Sequence, residues 1–258
     1  MKQVEQGIVV SNAQIEDKIF SITLELPKIA EHAVAGQFVQ VYLPKGEMLL
    51  PRPISISCID ENMITLVYHV VGNGTEFISS LKKGDSLKIL GVLGNGFTQR
   101  EHLNKVALVG GGIGAPPLLQ LLKELKVKDK SIDVDVYLGF RSKSILVKKF
   151  ESLGANVYVA TDSGEEGFKG NAVDLIKEKN IDYDEIFSCG PNIMLLNLSN
   201  YAEAKNIPCQ VCMEERMACG VGACVGCVIK IKSQDSFIYK KVCKDGPVFY
   251  SSEVLWNE

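Results

Sequence analysis

Cys219, Cys224, Cys227 and Cys243, in the last fifth of the chain, are spaced C-x4-C-x2-C-x15-C. This is the spacing of a chain wrapped around a 2Fe-2S cluster, where soft, negatively charged thiolates complete tetrahedral coordination at two irons. The residues between the first three cysteines, Gly220, Val221, Gly222, Ala223, Val225 and Gly226, are all small or apolar. Such a backbone folds closely over inorganic sulfurs and aims N–H groups at them, which tunes the reduction potential. The expected role is that of an electron carrier.

A zinc ribbon is the competing pattern, because Cys209 and Cys212 pair with Cys224 and Cys227 as C-x2-C-x11-C-x2-C. That pattern leaves Cys219 and Cys243 without a role and does not account for the glycines. Cys58, Cys209 and Cys212 are read as core thiols.

At 258 residues the chain is long enough for two domains and a small appendage. Its net charge of −3 leaves no electrostatic footprint for nucleic acid or an anionic membrane. The segment from Met1 to Glu5 starts an alternating pattern and does not resemble a signal peptide, and no apolar stretch reaches about 18 residues. A cytoplasmic protein with no membrane or nucleic-acid partner is expected, and in that setting eight cysteines favour metal ligation over disulfides.

Residues 1–101 read as a small antiparallel β-barrel. Short alternating strands run over Val4–Val10, Ile19–Leu26, Gln37–Leu43, Ile54–Ile59, Ile64–Val70 and Ser86–Leu90, with turns at Pro44-Lys45-Gly46, Asp60-Glu61-Asn62 and Lys83-Gly84-Asp85. From Asn104 the pattern changes. Apolar strands at Val106–Val109, Val134–Phe140, Val157–Thr161 and Ile186–Cys189 alternate with helical stretches near Pro117–Leu125, Ser144–Leu153, Ala172–Lys179 and Ile193–Ala204. Residues 102–207 are therefore expected to form a parallel sheet covered on both faces. Residues 208–258 are cysteine-rich and too short for a core of their own, so a bound cluster is expected to supply much of their folding energy. The fold class is β plus α/β with a small C-terminal cluster subdomain.

Three further motifs carry chemistry. Arg52-Pro53-Ile54-Ser55 sets a planar guanidinium, a rigid ring and a hydroxyl along one extended run, groups that suit a diphosphate and the N5 edge of an isoalloxazine. Val67-Tyr68-His69 follows, and then Gly72-x-Gly74-Thr75, where glycines allow close approach of a diphosphate and Thr75 is placed to start a helix. An ordinary loop is the alternative for the two glycines.

The second motif is Gly110-Gly111-Gly112-Ile113-Gly114-Ala115-Pro116-Pro117, between a strand and an apolar helix. Backbone N–H groups of Gly111, Gly112 and Gly114 at such a turn receive a nucleotide diphosphate. The third is Cys189-Gly190-Pro191 at the end of the fourth strand. Ligands of open α/β sheets bind at that end, so Cys189 is a candidate for the nicotinamide mouth, with a buried core cysteine as the alternative.

Together these motifs resemble the ferredoxin-NADP reductase superfamily, with domains in the order flavin, nicotinamide, cluster. The tail from Met213-Glu-Glu-Arg-Met-Ala-Cys219 through Val242-Cys243-Lys-Asp-Gly-Pro-Val-Phe249 is similar to that of electron-transfer subunits of class 1B dihydroorotate dehydrogenases. The resemblance covers essentially the whole chain. It implies bound FAD held by Arg52–Ser55, Val67–His69, Gly74 and Thr75, a 2Fe-2S cluster on the four cysteines, and NAD as acceptor. It also implies a separate FMN-containing catalytic subunit in a two-plus-two assembly. One departure is His69, where family members commonly carry Arg, so a contact to the FAD diphosphate is expected to be weaker or pH-dependent. The chain shows no paired acid and base able to take hydrogens from dihydroorotate, so no catalytic residue is assigned. Relatives serving other redox complexes share the flavin and nicotinamide motifs. Arg141, Ser142 and Lys143 leave NAD and NADP unresolved.

Overall fold

The computed structural model describes residues 2–44, 49–234 and 236–256. Lys45 and Gly46 of the expected turn lie outside the described residues. The first part of the chain contains β1 (Gln3–Glu16), β2 (Ile19–Glu25), the short helix α1 (Pro27–Ala30), β3 (Phe38–Tyr42), β4 (Arg52–Asp60), β5 (Met63–His69), α2 (Asn73–Ser80) and β6 (Ser86–Leu93). The six strands close into an antiparallel barrel in the order β1-β2-β5-β4-β3-β6. Strict alternation fills it: Ile22, Leu24, Val39, Val41, Ile54, Ile56, Ile64, Leu66, Leu87 and Ile89 all point inward into one buried cluster. The sequence expects Thr75 to open the following helix, but α2 starts at Asn73 and Thr75 sits in its first turn. There its hydroxyl accepts the Val71 N–H at 2.9 Å and donates to the Gly72 carbonyl at 2.9 Å.

The second part contains β7 (Lys105–Gly111), a single tight turn at Gly112–Gly114, α3 (Ala115–Lys128), β8 (Asp133–Phe140), α4 (Val147–Ser152), β9 (Asn156–Thr161), β10 (Phe168–Lys169), α5 (Ala172–Lys179), β11 (Glu185–Cys189) and α6 (Asn192–Lys205). Pro116 and Pro117 occupy the first turn of α3, where no backbone donor is needed. Alternate residues of the continuous apolar strand β7 feed two different cores. Val106 and Leu108 pack under α3 and α4, whereas Ala107 and Val109 pack under α5 and α6. The sheet is thus buried on both faces, as parallel sheets are.

The region from residue 208 onward starts in the sheet. Its first strand, β12 (Cys209–Cys212), joins this sheet in parallel beside β11. After the hairpin β13 (Val228–Ser233) and β14 (Ser236–Lys241) and the short helix α7 (Val242–Asp245), β15 (Val248–Tyr250) closes the edge antiparallel to β12. The sheet order is β10-β9-β8-β7-β11-β12-β15. Ile229, Ile231, Val242, Phe249 and Val254 are buried in the same core as Leu195 and Leu198 of α6. The C-terminal region therefore borrows its core from the α/β sheet, and within it the stretch without helix or strand runs from Met213 to Cys227.

Barrel and sheet are bolted together along α3. The Ile59 N–H donates to the Gln120 Oε1 at 2.8 Å, Lys123 Nζ donates to the Ile59 carbonyl at 2.7 Å, the Ser57 hydroxyl donates to the Pro116 carbonyl at 3.1 Å, and the Ala35 N–H donates to the Glu124 Oε1 at 2.8 Å.

Candidate functional site

Strands β4 and β5 pair only from Ile56/Leu66 to Asp60/Met63. Beyond that point β4 pairs with β3 and β5 with β2, so Arg52–Ser55 and Val67–His69 splay apart and leave a cleft between them. The cleft has a volume of about 380 Å³ and gathers Arg52, Pro53, Ile54, Ser55, Val67, Tyr68, His69 and Thr75. Phe38 of β3 lies beside Ser55, and the opposite wall comes from across the molecule: Ile113, Pro247 and the segment from Cys212 to Met217.

The lining suits a flat heteroaromatic ring with a charged tail, being apolar along its body and cationic at one end. At that end a Cβ on Gly74 would lie 2.5 Å from the Arg52 Nε, so the glycine leaves room for the guanidinium where it now rests. The missing side chain lets the guanidinium rest over the start of α2, with Arg52 Nη1 donating to the Leu50 carbonyl at 2.6 Å. Tyr68 is buried, and burial pushes its phenol above the usual range. Glu214 is open to solvent through the mouth of the cleft yet walled by protein, and burial pushes its carboxyl up.

The four cysteines of the C-x4-C-x2-C-x15-C pattern form two pairs. The Cys219 and Cys224 sulfurs stand 3.3 Å apart, and the Cys243 thiol faces that of Cys227. Among the described residues no three His, Cys, Asp or Glu side chains converge where a single ion would sit. Two pairs are what a di-iron cluster asks for, with two thiolates per iron. Burial alone would raise Cys219, but N–H groups of Cys224, Val221 and Ala223 and the Cys224 side chain outweigh it and bring the thiol down to about 6. Those donors point at the sulfur as they would in a cluster-binding loop.

Backbone conformation makes this loop possible. Gly220 and Gly222 have φ of +67° and +84°, the left-handed region where a side chain is strained. Tethers hold the loop from outside: Lys241 Nζ donates to the Gly222 carbonyl at 2.7 Å and Lys2 Nζ to the Val221 carbonyl at 3.3 Å. The fully buried Gln40 of the barrel packs its amide against Gly220. Cys209 and Cys212 take no part, since they lie in β12 and are buried in the sheet. The zinc-ribbon grouping is therefore not assembled.

A second cleft of about 390 Å³ opens at the carboxyl ends of β7, β8 and β9. Gly111, Gly112 and Pro191 line it, together with Arg141, Asp162 and Asn171. Gly114, Cys189 and Gly190 are packed behind it. A Cβ on Gly114 would strike the Cys189 carbonyl at 2.5 Å, and a Cβ on Gly190 would strike Met194 Cε at 2.5 Å, so these glycines serve close packing of turn against strand end. Lys143 reaches Glu16 at 3.9 Å, and Ser144 donates from its backbone to Glu166 at 2.9 Å.

Sequence comparison places this arrangement among relatives. The family model described as the iron-sulfur cluster binding domain of dihydroorotate dehydrogenase B matches residues 214–255. A dihydroorotate dehydrogenase B (NAD(+)) electron transfer subunit from Caldanaerobacter subterraneus subsp. tengcongensis is 40% identical over 248 residues, covering 96% of this chain and 97% of the relative. The chain belongs to the family of dihydroorotate dehydrogenase B electron transfer subunits. The member from Streptococcus pneumoniae is 38% identical over 99% of this chain and 100% of its own length. Among solved structures, that of an NADH-dependent reduced ferredoxin-NADP oxidoreductase superposes with a TM-score of 0.85 at 29% identity, covering 97% of this chain and 90% of the other. A ferredoxin reductase of carbazole 1,9a-dioxygenase shares the fold, with a TM-score of 0.68 at 18% identity over 80% of this chain and 67% of that one.

For an electron transfer subunit, what motif reading missed is that the linking segment walls the first cleft. Cys212, Met213, Glu214, Glu215 and Met217 all line the first cleft, and Cys219 follows two residues later. The available signal was positional. Cys209–Cys212 is one more strand ending at the carboxyl edge of the sheet, where ligands of such sheets bind. Four residues are too few for a periodicity to reveal it.

Proposed function

We propose that this chain carries electrons between a cluster on Cys219, Cys224, Cys227 and Cys243, an FAD in the β4–β5 cleft, and NAD at the β7–β9 cleft. Its source is the FMN of a dihydroorotate dehydrogenase catalytic subunit, in a two-plus-two cytoplasmic assembly serving pyrimidine biosynthesis. The carrying observation is that one continuous segment, Cys212–Cys219, walls the first cleft and then supplies a cysteine of the four. A bound isoalloxazine supplies the conversion between single-electron transfer and hydride transfer.

The chain's own residues bind and orient. Arg52, beside Gly74, is the permanent charge for a diphosphate, and Thr75 holds the Val71–Gly72 turn that leads into α2. Tyr68, Val67 and Ile54 exclude water from the ring. Gly111 and Gly112 present backbone to a dinucleotide, with Pro191 bounding the same space and Cys189 and Gly190 supporting it from behind.

Exposed Val225, Phe237, Ile238 and Tyr239 lie on the cluster loop and the neighbouring β13–β14 hairpin. This is the face on which the catalytic subunit docks in our reading. The purified chain alone is expected to reduce artificial acceptors with NADH and to leave dihydroorotate untouched. Dihydroorotate turnover by the isolated chain would overturn the assignment of substrate oxidation to a partner.

A further inference from the structure

Cys189 ends β11, Cys212 ends β12, and the two are direct partners in the parallel ladder. Both are almost wholly buried and join the same core cluster, so their side chains lie on one face of the sheet, the face under α3. Adjacent strands run about 4.8 Å apart, and a disulfide joins Cα atoms about 4.4–6.8 Å apart. Ladder partners on one face thus already stand within bridging range. The two thiols also sense each other: the Cys212 side chain first, and burial second, hold Cys189 protonated well above the usual thiol range. Of the pair, Cys212 lines the flavin cleft and Cys189 sits behind it. Cys209 belongs to the opposite face of β12, beside Ser251, and Cys58 lies in the barrel, so neither competes.

We propose that Cys189 and Cys212 form a redox-active pair that passes between dithiol and disulfide at the wall of the flavin cleft. The pairing rests on reading that cleft as a flavin site. Oxidation breaks two S–H bonds and forms one S–S bond. The two electrons and two protons released are taken up by the oxidised isoalloxazine, a two-electron acceptor. Cys212 is the sulfur that faces the acceptor and Cys189 the one that closes on it, in keeping with Cys189 remaining protonated until the bond forms. NADH, bound at the β7–β9 cleft, reduces the flavin, which returns two electrons and two protons to the disulfide and restores both thiols. The pair thus stores one electron pair beside the cleft, filled when the nicotinamide pool is reduced and emptied when it is oxidised.

The test uses anaerobic holoprotein oxidised with ferricyanide or reduced with NADH, then quenched in acid, denatured, alkylated with N-ethylmaleimide and digested. The expected result is a linked Cys189–Cys212 peptide pair in the oxidised sample and alkylation of both residues in the reduced one. Alkylation of both in the oxidised sample overturns the proposal. In a reductive titration, wild-type protein is expected to take up about two electron equivalents more than Cys212→Ser or Cys189→Ser. Equal uptake by all three likewise overturns it. A preparation that binds no flavin strikes the reading of the cleft, whereas a flavin-loaded one with both thiols free strikes only the pair.

Discussion

The β4–β5 cleft and the cysteine loop are neighbours built from unlike material. The cleft is an opening between ladders: β4 stays bonded to β3, and β5 to β2, on either side of it. The loop from Met213 to Cys227 has no ladder, and it turns twice through backbone that only glycine adopts freely. The barrel side of the cleft, hydrogen-bonded to the rest of the fold, keeps its shape when empty. A loop held by a few lysine tethers and two thiol pairs depends on what those thiols bind. The difference predicts that losing the flavin leaves a folded protein, and that losing the cluster opens one segment of it.

The largest expected effect follows directly. Cys243→Ser should abolish the paramagnetic signal of the dithionite-reduced protein and make the 213–227 segment sensitive to protease, while FAD stays bound. Cys243 is buried against Val242 and the α5–α6 core, so its sulfur fixes the far end of the loop to the sheet. If the substituted protein kept both its signal and its protease resistance, the proposed dependence of the loop on its metal would be wrong.

Arg52→Ala tests the other side of the comparison. A charge-assisted hydrogen bond contributes about 1.5–3 kcal/mol, so FAD should bind about 10- to 150-fold more weakly, measured by flavin fluorescence on dilution. Cluster absorbance should not change, because the ladders of β3 and β4 do not involve the guanidinium. A parallel loss of cluster would mean that the two sites fold as one unit.

The same contrast decides what could be read from the chain before its structure. Barrel strands announce themselves because each inward residue alternates with an outward one, as in Ile22–Leu24 and Ile64–Leu66. The glycine turn after β7 and the spacing of the four cysteines are equally local. What no local pattern writes is the place where the β4–β5 ladder stops, at Ile56, since that is decided by which neighbour each strand finds across the barrel. Nor does composition reveal that Cys209–Cys212 and Val248–Tyr250 enter the sheet. Both are too short to repeat a period convincingly, and their burial comes from β11 and α6, which lie elsewhere in the sequence.

Gly220→Ala should have a smaller effect, confined to the loop. A side chain in the left-handed region costs about 1–2 kcal/mol, and here it would also press on the Gln40 amide. Cluster retention during chelator challenge should fall about 5- to 30-fold while FAD affinity is unchanged. Gly226→Ala is the control, since a Cβ there meets only the Cys224 Sγ, at 3.7 Å. Equal losses in the two variants would remove the case for conformational strain at Gly220.

The smallest effect is expected at His69, the last residue of β5 and an exposed one, on the cleft wall that Arg52 shares. An imidazole carries charge only on the acid side of neutrality, whereas a guanidinium carries it throughout. A guanidinium in place of the imidazole therefore adds a permanent positive charge to a wall that already holds Arg52. Exposed charge pairs contribute about 0.2–1 kcal/mol, so His69→Arg should tighten FAD binding by no more than about 5-fold, measured by flavin fluorescence on dilution. The ratio of the two affinities isolates position 69 from Glu214, whose carboxyl lines the same cleft in both proteins. A ratio of one would move the diphosphate away from the end of β5 and leave Arg52 as its charged anchor in the barrel.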